Sequence, residues 1–327
     1  MAVVQRKKIG DCSELPFSRE RADAIRDGLP PDKLVKRLFD PSKPGELPLR
    51  ELAGSPILTW PILVPSRDAR GVRTGSDFEC WKKPQDSKLG IASYQFCLKR
   101  QGVLNCHSGL EARLLAFFDF CPFVLEVRTQ YPSWCRDEYS RYRDEGRRFP
   151  KNKVMSIDFL LTLQIPGIPY PVYHGVSAKP FSMLEMKNVK RRHAKEISRL
   201  FSWSASHEVM HELTVPDSEY GNYLFLNSLM VHVDIERCWI EAHQFATDLM
   251  SSTAVGSMDR ILGMLGNRRG YSLDDSYRLF AVAIFLGYLV VDHTFPLDVD
   301  ESLNLVGRDI ARKALPSYLL VDESSGF

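Results

Sequence analysis

The stretch VMSIDFLLTLQIPGIPYPVYHGVSAKP, residues 154–180, decides how the chain is read. Its first half, VMSIDFLLTLQIP, alternates as a β-strand does and places Met155, Ile157, Phe159, Leu161 and Leu163 on one face. Its second half, YPVYHGVSAKP, reads as another strand, closed by Pro180. Asp158 sits mid-strand, where aspartate is disfavoured, between Ile157 and Phe159, which point to the other face. A carboxylate in that position requires a partner, either a nearby arginine or a bound cation. Lys179 ends the second strand, and Ser177, two residues earlier, shares its face.

Working outward, HSGLEARLLAFFDFCP (107–122) reads as a helix with Ser108 as N-cap, Leu114, Leu115 and Phe118 on one face, and Pro122 as its stop. FVLEVRTQYP (123–132) reads as a strand. On the C-terminal side, SMLEMKNVKRRHAKEISRLFSW (182–203) is a long helix. The order of helix, strands, helix and strand predicts a compact α/β module. Glu111 falls on the apolar side of the first helix, so its carboxylate points inward. A capping box is the alternative, with Glu111 reaching back from the third helical position to the amide of Ser108. Taken in order, a glutamate on a helix, an aspartate on a strand and a lysine on the next strand can serve a metal-dependent nuclease. Two carboxylates hold Mg²⁺, a hard ion that prefers oxygen, and the lysine offsets charge on the phosphate under attack.

These residues carry a family resemblance. SGLEARLLAFFDFCPFVLEVRTQYP, SIDFLLTL and VSAKP together resemble the catalytic domain of TnsA, the endonuclease subunit of heteromeric transposases, and the likeness continues through LTVPDSEYGNYLFLNSL toward residue 300. The resemblance implies a PD-(D/E)xK fold, a restriction-endonuclease-like mixed sheet flanked by helices, followed by a mainly helical winged-helix-like domain. Residues 1–95, rich in Pro, Gly and charge, lie outside the likeness and read as an N-terminal extension, partly ordered; the resemblance gives a nuclease domain over 96–216 and a DNA- or partner-binding domain over 217–327. It implies that Glu111, Asp158 and Lys179 are catalytic and that Glu111, Asp158 and the backbone carbonyl of Ala178 bind Mg²⁺, with Mn²⁺ as a substitute. Gln130 and Ser177 fall near the site. The implied partners are double-stranded DNA at transposon ends, a DDE-family transposase that joins the 3′ ends, and a regulatory AAA+ ATPase, in the bacterial cytoplasm. The chain's own task would be to cut the non-transferred strand at the 5′ ends.

The sequence departs from the family at Ser177, where glutamine or an acidic residue is usual. A hydroxyl is a poorer Mg²⁺ ligand than a carboxylate. The departure motivates a second reading, a catalytically impaired DNA-binding or ATPase-docking module. A third is another PD-(D/E)xK nuclease, of restriction or repair type. A fourth comes from HEVMH (207–211), the pattern of a zinc protease, in which two histidines one helical turn apart hold the metal. The flanking β-branched Thr214 and Val215 make EVMHELTV a strand instead. In a strand the two histidines lie about 13 Å apart, too far to share one zinc.

Composition bounds these readings. With 43 Lys and Arg against 41 Asp and Glu, net charge alone announces no nucleic-acid partner. Basic residues gather instead in two runs: Arg141, Arg143, Arg147 and Arg148 in one, and Lys187, Lys190, Arg191, Arg192 and Lys195 in the other. Either run could follow a phosphate backbone or form a solvated face. Trp134 and Tyr139, beside the first run, could stack on bases or pack in the core. Seven cysteines without a CxxC pair, and no leader in MAVVQRKKIGDCSELPF, predict free thiols in a reducing cytoplasm. Cys106, Cys121 and Cys135 are expected to be ordinary core or surface thiols. No apolar run reaches the length of a membrane span. Near the C-terminus, SMDRILGMLGNRRG and YSLDDSYRLFAVAIFLG read as helices, and YLVVDHTFPLDVD as a β-hairpin.

Overall fold

Strands β3 (Val124–Ser133), β4 (Met155–Leu163), β5 (Val172–Ala178) and β6 (Ser206–Met210) form one mixed sheet in that order in the computed structural model. The structure describes residues 47–52, 54–82, 92–168 and 170–308. The rest of the 1–95 segment, including Cys12, and the end of the 217–327 segment lie outside the described residues. The fold is mixed α/β, with seven α-helices among the described residues. They divide into two units, the first formed by the chain from Leu47 to Pro56, Ile62–Asp119 and Phe123–Val215. The second takes Ile57–Pro61, Phe120–Pro122 and the chain from Pro216 onward.

In the first unit, β3, β4 and β5 are antiparallel in succession, and β6 joins β5 in parallel. A parallel neighbour requires a crossover, which α3 (Lys187–Phe201) supplies. A separate hairpin pairs β1 (Ser93–Cys97) with β2 (Gly102–Cys106), so the boundary drawn at 95/96 falls inside β1. Helix α1 (Gly109–Phe120) starts where Ser108 Oγ accepts the Glu111 amide at 3.1 Å. Its Phe118 meets Phe159 of β4 edge-on, with ring centroids 5.1 Å apart. Leu160, the next residue and therefore on the opposite face, packs with Leu200 of α3 and with Trp203, Tyr131 and Tyr173. The sheet is thus covered on both sides.

The described part of the N-terminal segment is built into this core. Leu47, Leu49, Ala69, Val72 and Phe78 are buried, and Asp68 pairs with the fully buried Arg128 of β3 at 2.6 Å. Asp68 also accepts the Tyr131 hydroxyl and the Arg70 and Val72 amides, which satisfies the carboxylate where water cannot reach. Trp134 and Tyr139 are buried in the same cluster, and Trp134 has the Arg70 guanidinium over its ring, so packing is their role.

Three expectations are corrected here. The alternation expected across Asp158 breaks, because Ile157 joins Leu160 and Leu200 rather than sharing the face of Phe159. The break coincides with Gln130, opposite Asp158 on β3, whose φ of 50° is left-handed. The strand expected over 208–215 lies at Ser206–Met210 instead, and Thr214 closes a turn by accepting the His211 amide. The hairpin expected within 288–300 does not fold on itself. Residues 290–292 bond instead to 304–306, through Val306 N to Val290 O at 2.8 Å and Asp292 N to Asn304 O at 3.2 Å. Asp292 takes the Thr294 amide and hydroxyl for a local turn, and Pro296 has no amide to donate.

The second unit contains α4 (Asp217–Leu229), α5 (Ile235–Ser251), α6 (Met258–Arg269) and α7 (Leu273–Phe285). Helix α7 is its centre, buried continuously from Leu279 to Phe285 and contacted by the other three. Ser257 and Ser272 cap α6 and α7 by accepting the amides of Arg260 and Asp275. Trp60 and Phe120, from the short early segments, pack against Phe285 within this unit. Among the described residues, no helix is long and apolar enough to cross a membrane. The six described cysteines are free thiols.

Candidate functional site

Four elements bring the expected residues together. Asp158 projects from the irregular point of β4, and its Oδ2 accepts the Ala178 amide at 3.0 Å and the Lys179 ammonium at 2.8 Å. Lys179 follows the last residue of β5, and its Nζ also donates to the Ala178 carbonyl at 2.6 Å. Glu111, from the first turn of α1, is buried and accepts the His107 amide at 2.9 Å. That bond is a capping contact, one residue displaced from the Ser108 amide of a regular capping box. Capping and site are therefore the same side chain, not alternatives.

The electrostatics tie the two carboxyls to each other. Burial pushes the Glu111 carboxyl up to about 7, and the negative charge of Asp158 adds to the rise. The His107 amide, Lys179 and the Gln130 side-chain amide oppose it without cancelling it. Gln130 therefore does reach the site, from the left-handed position on β3. The charge of Lys179, and of Arg192 at 4.0 Å, falls on Asp158, and a cation bound between the two buried carboxyls would relieve the repulsion that raises Glu111. Among the described residues, no three His, Cys, Asp or Glu side chains form a metal-holding group. The groups that could donate to an ion here are Glu111, Asp158 and the Ala178 carbonyl, the last of which accepts Lys179 Nζ. This set suits an oxygen-seeking ion that keeps several of its own waters.

Ser177 belongs to a different set. Its hydroxyl donates to Glu196 of α3 at 2.5 Å, while Lys179 turns to Asp158, so the two do not share a partner as strand alternation suggests. Glu196, fully buried, also accepts Arg192 Nε at 2.7 Å and lies 3.3 Å from His207 Nε2. Burial alone would raise its carboxyl, but the hydrogen bonds from His207, Ser177 and Arg192 outweigh it and hold the carboxyl down at about 2. Arg192 Nη2 donates to the Ser156 carbonyl at 3.0 Å and lies 4.0 Å from Asp158 Oδ1. His193, one residue on, is lowered by burial, and its Nε2 has no hydrogen-bond partner among the described residues. Glu196 and His193 were not among the expected site residues. The only sequence signal for Glu196 was its spacing of four from Arg192 on a helix.

The zinc-protease reading fails on geometry. His207 lies in β6 with its ring against Glu196 and Ser177, and Glu208 turns away to His174 at 3.2 Å and the Leu49 amide at 2.9 Å. His211 lies beyond the strand, edge-on to Phe181. No helix aligns the two histidines.

The basic runs separate likewise. In the first, Arg143 pairs with Asp144, Arg147 with Glu145 and Lys153 with Glu138, while Arg141 and Arg148 are exposed. The first run begins in helix α2 (Arg136–Asp144). In the second, Lys187, Lys190, Arg191 and Lys195 are exposed on α3, and Arg192 alone of the five turns to the site.

No protein-family model matches the chain, and no curated protein matches it.

Proposed function

We propose that the chain is a metal-dependent DNA endonuclease of the PD-(D/E)xK kind, acting as the TnsA-like subunit of a heteromeric transposase. The observation that supports this reading best is the convergence of Glu111, Asp158 and Lys179, from α1, β4 and the end of β5, with Glu111 raised by burial and further by the charge of Asp158. The mixed sheet of three antiparallel strands and one parallel strand, with α1 and α3 packed on it, supports the restriction-endonuclease-like reading. In the second unit, capped helices followed by the paired arms 290–292 and 304–306 support a winged-helix reading and a role in holding DNA or a partner.

Glu111, Asp158 and the Ala178 carbonyl would hold Mg²⁺ or Mn²⁺. When bound, the ion supplies Lewis acidity to a phosphate oxygen and acidity to a coordinated water. The chain's own contribution is positional. Asp158 and the Ala178 carbonyl together fix the Lys179 ammonium, which offsets negative charge accumulating on the phosphate. Burial of both carboxyls keeps competing water out and strengthens these interactions.

The test is strand-specific cleavage of labelled transposon-end DNA in Mg²⁺ by the full chain with a DDE transposase and its AAA+ ATPase. Asp158→Ala and Lys179→Ala should each lower the 5′-end cut at least about 100-fold and leave 3′-end joining intact. A wild-type chain that makes no 5′ cut while joining proceeds would favour the docking-module reading. Cutting without transposase would favour an autonomous nuclease.

A further inference from the structure

Ser177 and Glu196, buried and mutually bonded, have no part in the site as so far described. We propose that Arg192 contacts the substrate phosphate, held beside Asp158 by a buried clamp of Glu196, Ser177 and His207. The identity of the anion rests on the nuclease reading, and the clamp itself rests on geometry.

A surface arginine ordinarily samples many rotamers, and its ion pairs contribute little. Arg192 is fixed at two nitrogens, Nε on Glu196 and Nη2 on the Ser156 carbonyl. Glu196 is itself immobile, because Ser177 Oγ at 2.5 Å and His207 Nε2 at 3.3 Å hold Oε2 while Arg192 takes Oε1. Such a guanidinium loses little freedom when it binds. Its side chain remains 38% exposed, and Nη1 has no partner among the described residues. A donor is therefore left open on a guanidinium whose Nη2 lies 4.0 Å from Asp158 Oδ1, the oxygen opposite the one that Lys179 engages.

A purely structural role explains less of this. A buried carboxylate paired with an arginine is often no more stable than apolar residues of the same volume. The planar fork of arginine matches phosphate oxygens. The clamp also accounts for the departure at Ser177, whose hydroxyl proton is committed to Glu196. The serine is a positioning residue in this arrangement, and no carboxylate is missing at that point of the strand.

Short duplex DNA carrying a transposon end is the probe, with binding by the chain alone read by fluorescence anisotropy in EDTA across a salt series, and 5′-end cleavage in Mg²⁺ followed in parallel with the transposase and ATPase present. Arg192→Met should weaken binding about tenfold and reduce the slope of log affinity against log salt by about one. Lys82→Met, at an exposed position, removes the same charge and should change affinity less than about threefold. Glu196→Gln separates clamp from charge. Summed charge predicts tighter DNA binding when a carboxylate is removed, whereas loss of the clamp predicts weaker binding, by about threefold or more. Arg192→Lys keeps the charge without the fork and should behave like Arg192→Met, which carries the test if Glu196→Gln melts without cooperativity. Binding by Glu196→Gln as tight as wild type, or by Arg192→Met no weaker than Lys82→Met, would overturn the proposal. Loss of binding in the Arg192 variants with no cleavage by wild type would refute the nuclease and leave the clamp. Wild-type cleavage with unimpaired variants would do the reverse.

Discussion

Glu111 is held in a state that folding alone does not favour. Its carboxyl stands at about 7 in the folded chain against an ordinary 4.5, first through burial and then through Asp158. The folded protein therefore keeps this proton where the unfolded chain has released it. No penalty exists below about pH 4.5; it grows between 4.5 and 7 and is complete above 7. Glu111→Gln, which can still accept the His107 amide, should raise stability at pH 8 in EDTA by about 1–3 kcal/mol and leave it unchanged at pH 4.5. Thermal melting at both pH values decides this. Equal stabilisation at the two would mean that neither burial nor Asp158 raises the Glu111 carboxyl. Added Mg²⁺ should stabilise wild type and not the variant.

At the scale of elements, the close approach of α3 to the sheet depends on Gly175. A Cβ at this position would run into the Leu200 side chain, with Ile157 at 3.5 Å. Gly175→Ala should cost about 1–3 kcal/mol by overpacking. A denaturant midpoint indistinguishable from wild type would show that Leu200 can move aside. The same crossover shows which elements could be read in advance. Helix α1, strands β3 to β5 and α3 were legible, because caps, prolines and apolar periodicity coincide at their ends. The break in β4 was not. Leu160 and Leu161 are both apolar because both faces of the sheet are covered, so either alternation fits IDFLLTL, and only the packing of Ile157 against Leu200 selects one. Glu196 was hidden for a related reason. On a helix rich in Lys and Arg it looks like one more surface ion-pair partner, and its burial depends on where β5 and β6 place Ser177 and His207.

Across the whole molecule, the three candidate site residues that the structure brings together were picked out from their order along the chain, since each element was marked locally. The membership of the early segments was not. ILTWP (57–61) and FCP (120–122) give no local hint that they leave the first unit, and FCP looked like a helix end and nothing more. Ile57–Pro61 and Phe120–Pro122 nevertheless belong to the second unit, where Leu58 N bonds to Leu286 O at 2.9 Å and Phe120 stacks on Tyr223 and meets Phe285. A fragment that begins at Pro216 lacks these contacts and should melt at least about 5 °C below the same unit in the intact chain. A cooperative transition at the temperature of the full chain would show them to be dispensable.

That interleaving bears on how such a protein can change by exchange of parts. A cassette cut at residue 216 would carry four helices without the aromatic residues that complete their interior, and the donor chain would be left with Trp60 and Phe120 and nothing to bury them against. Descent by shuffling at that junction is disfavoured. The two halves are expected to be inherited together, and to accumulate compensating changes at Trp60, Phe120, Tyr223 and Phe285 as one group.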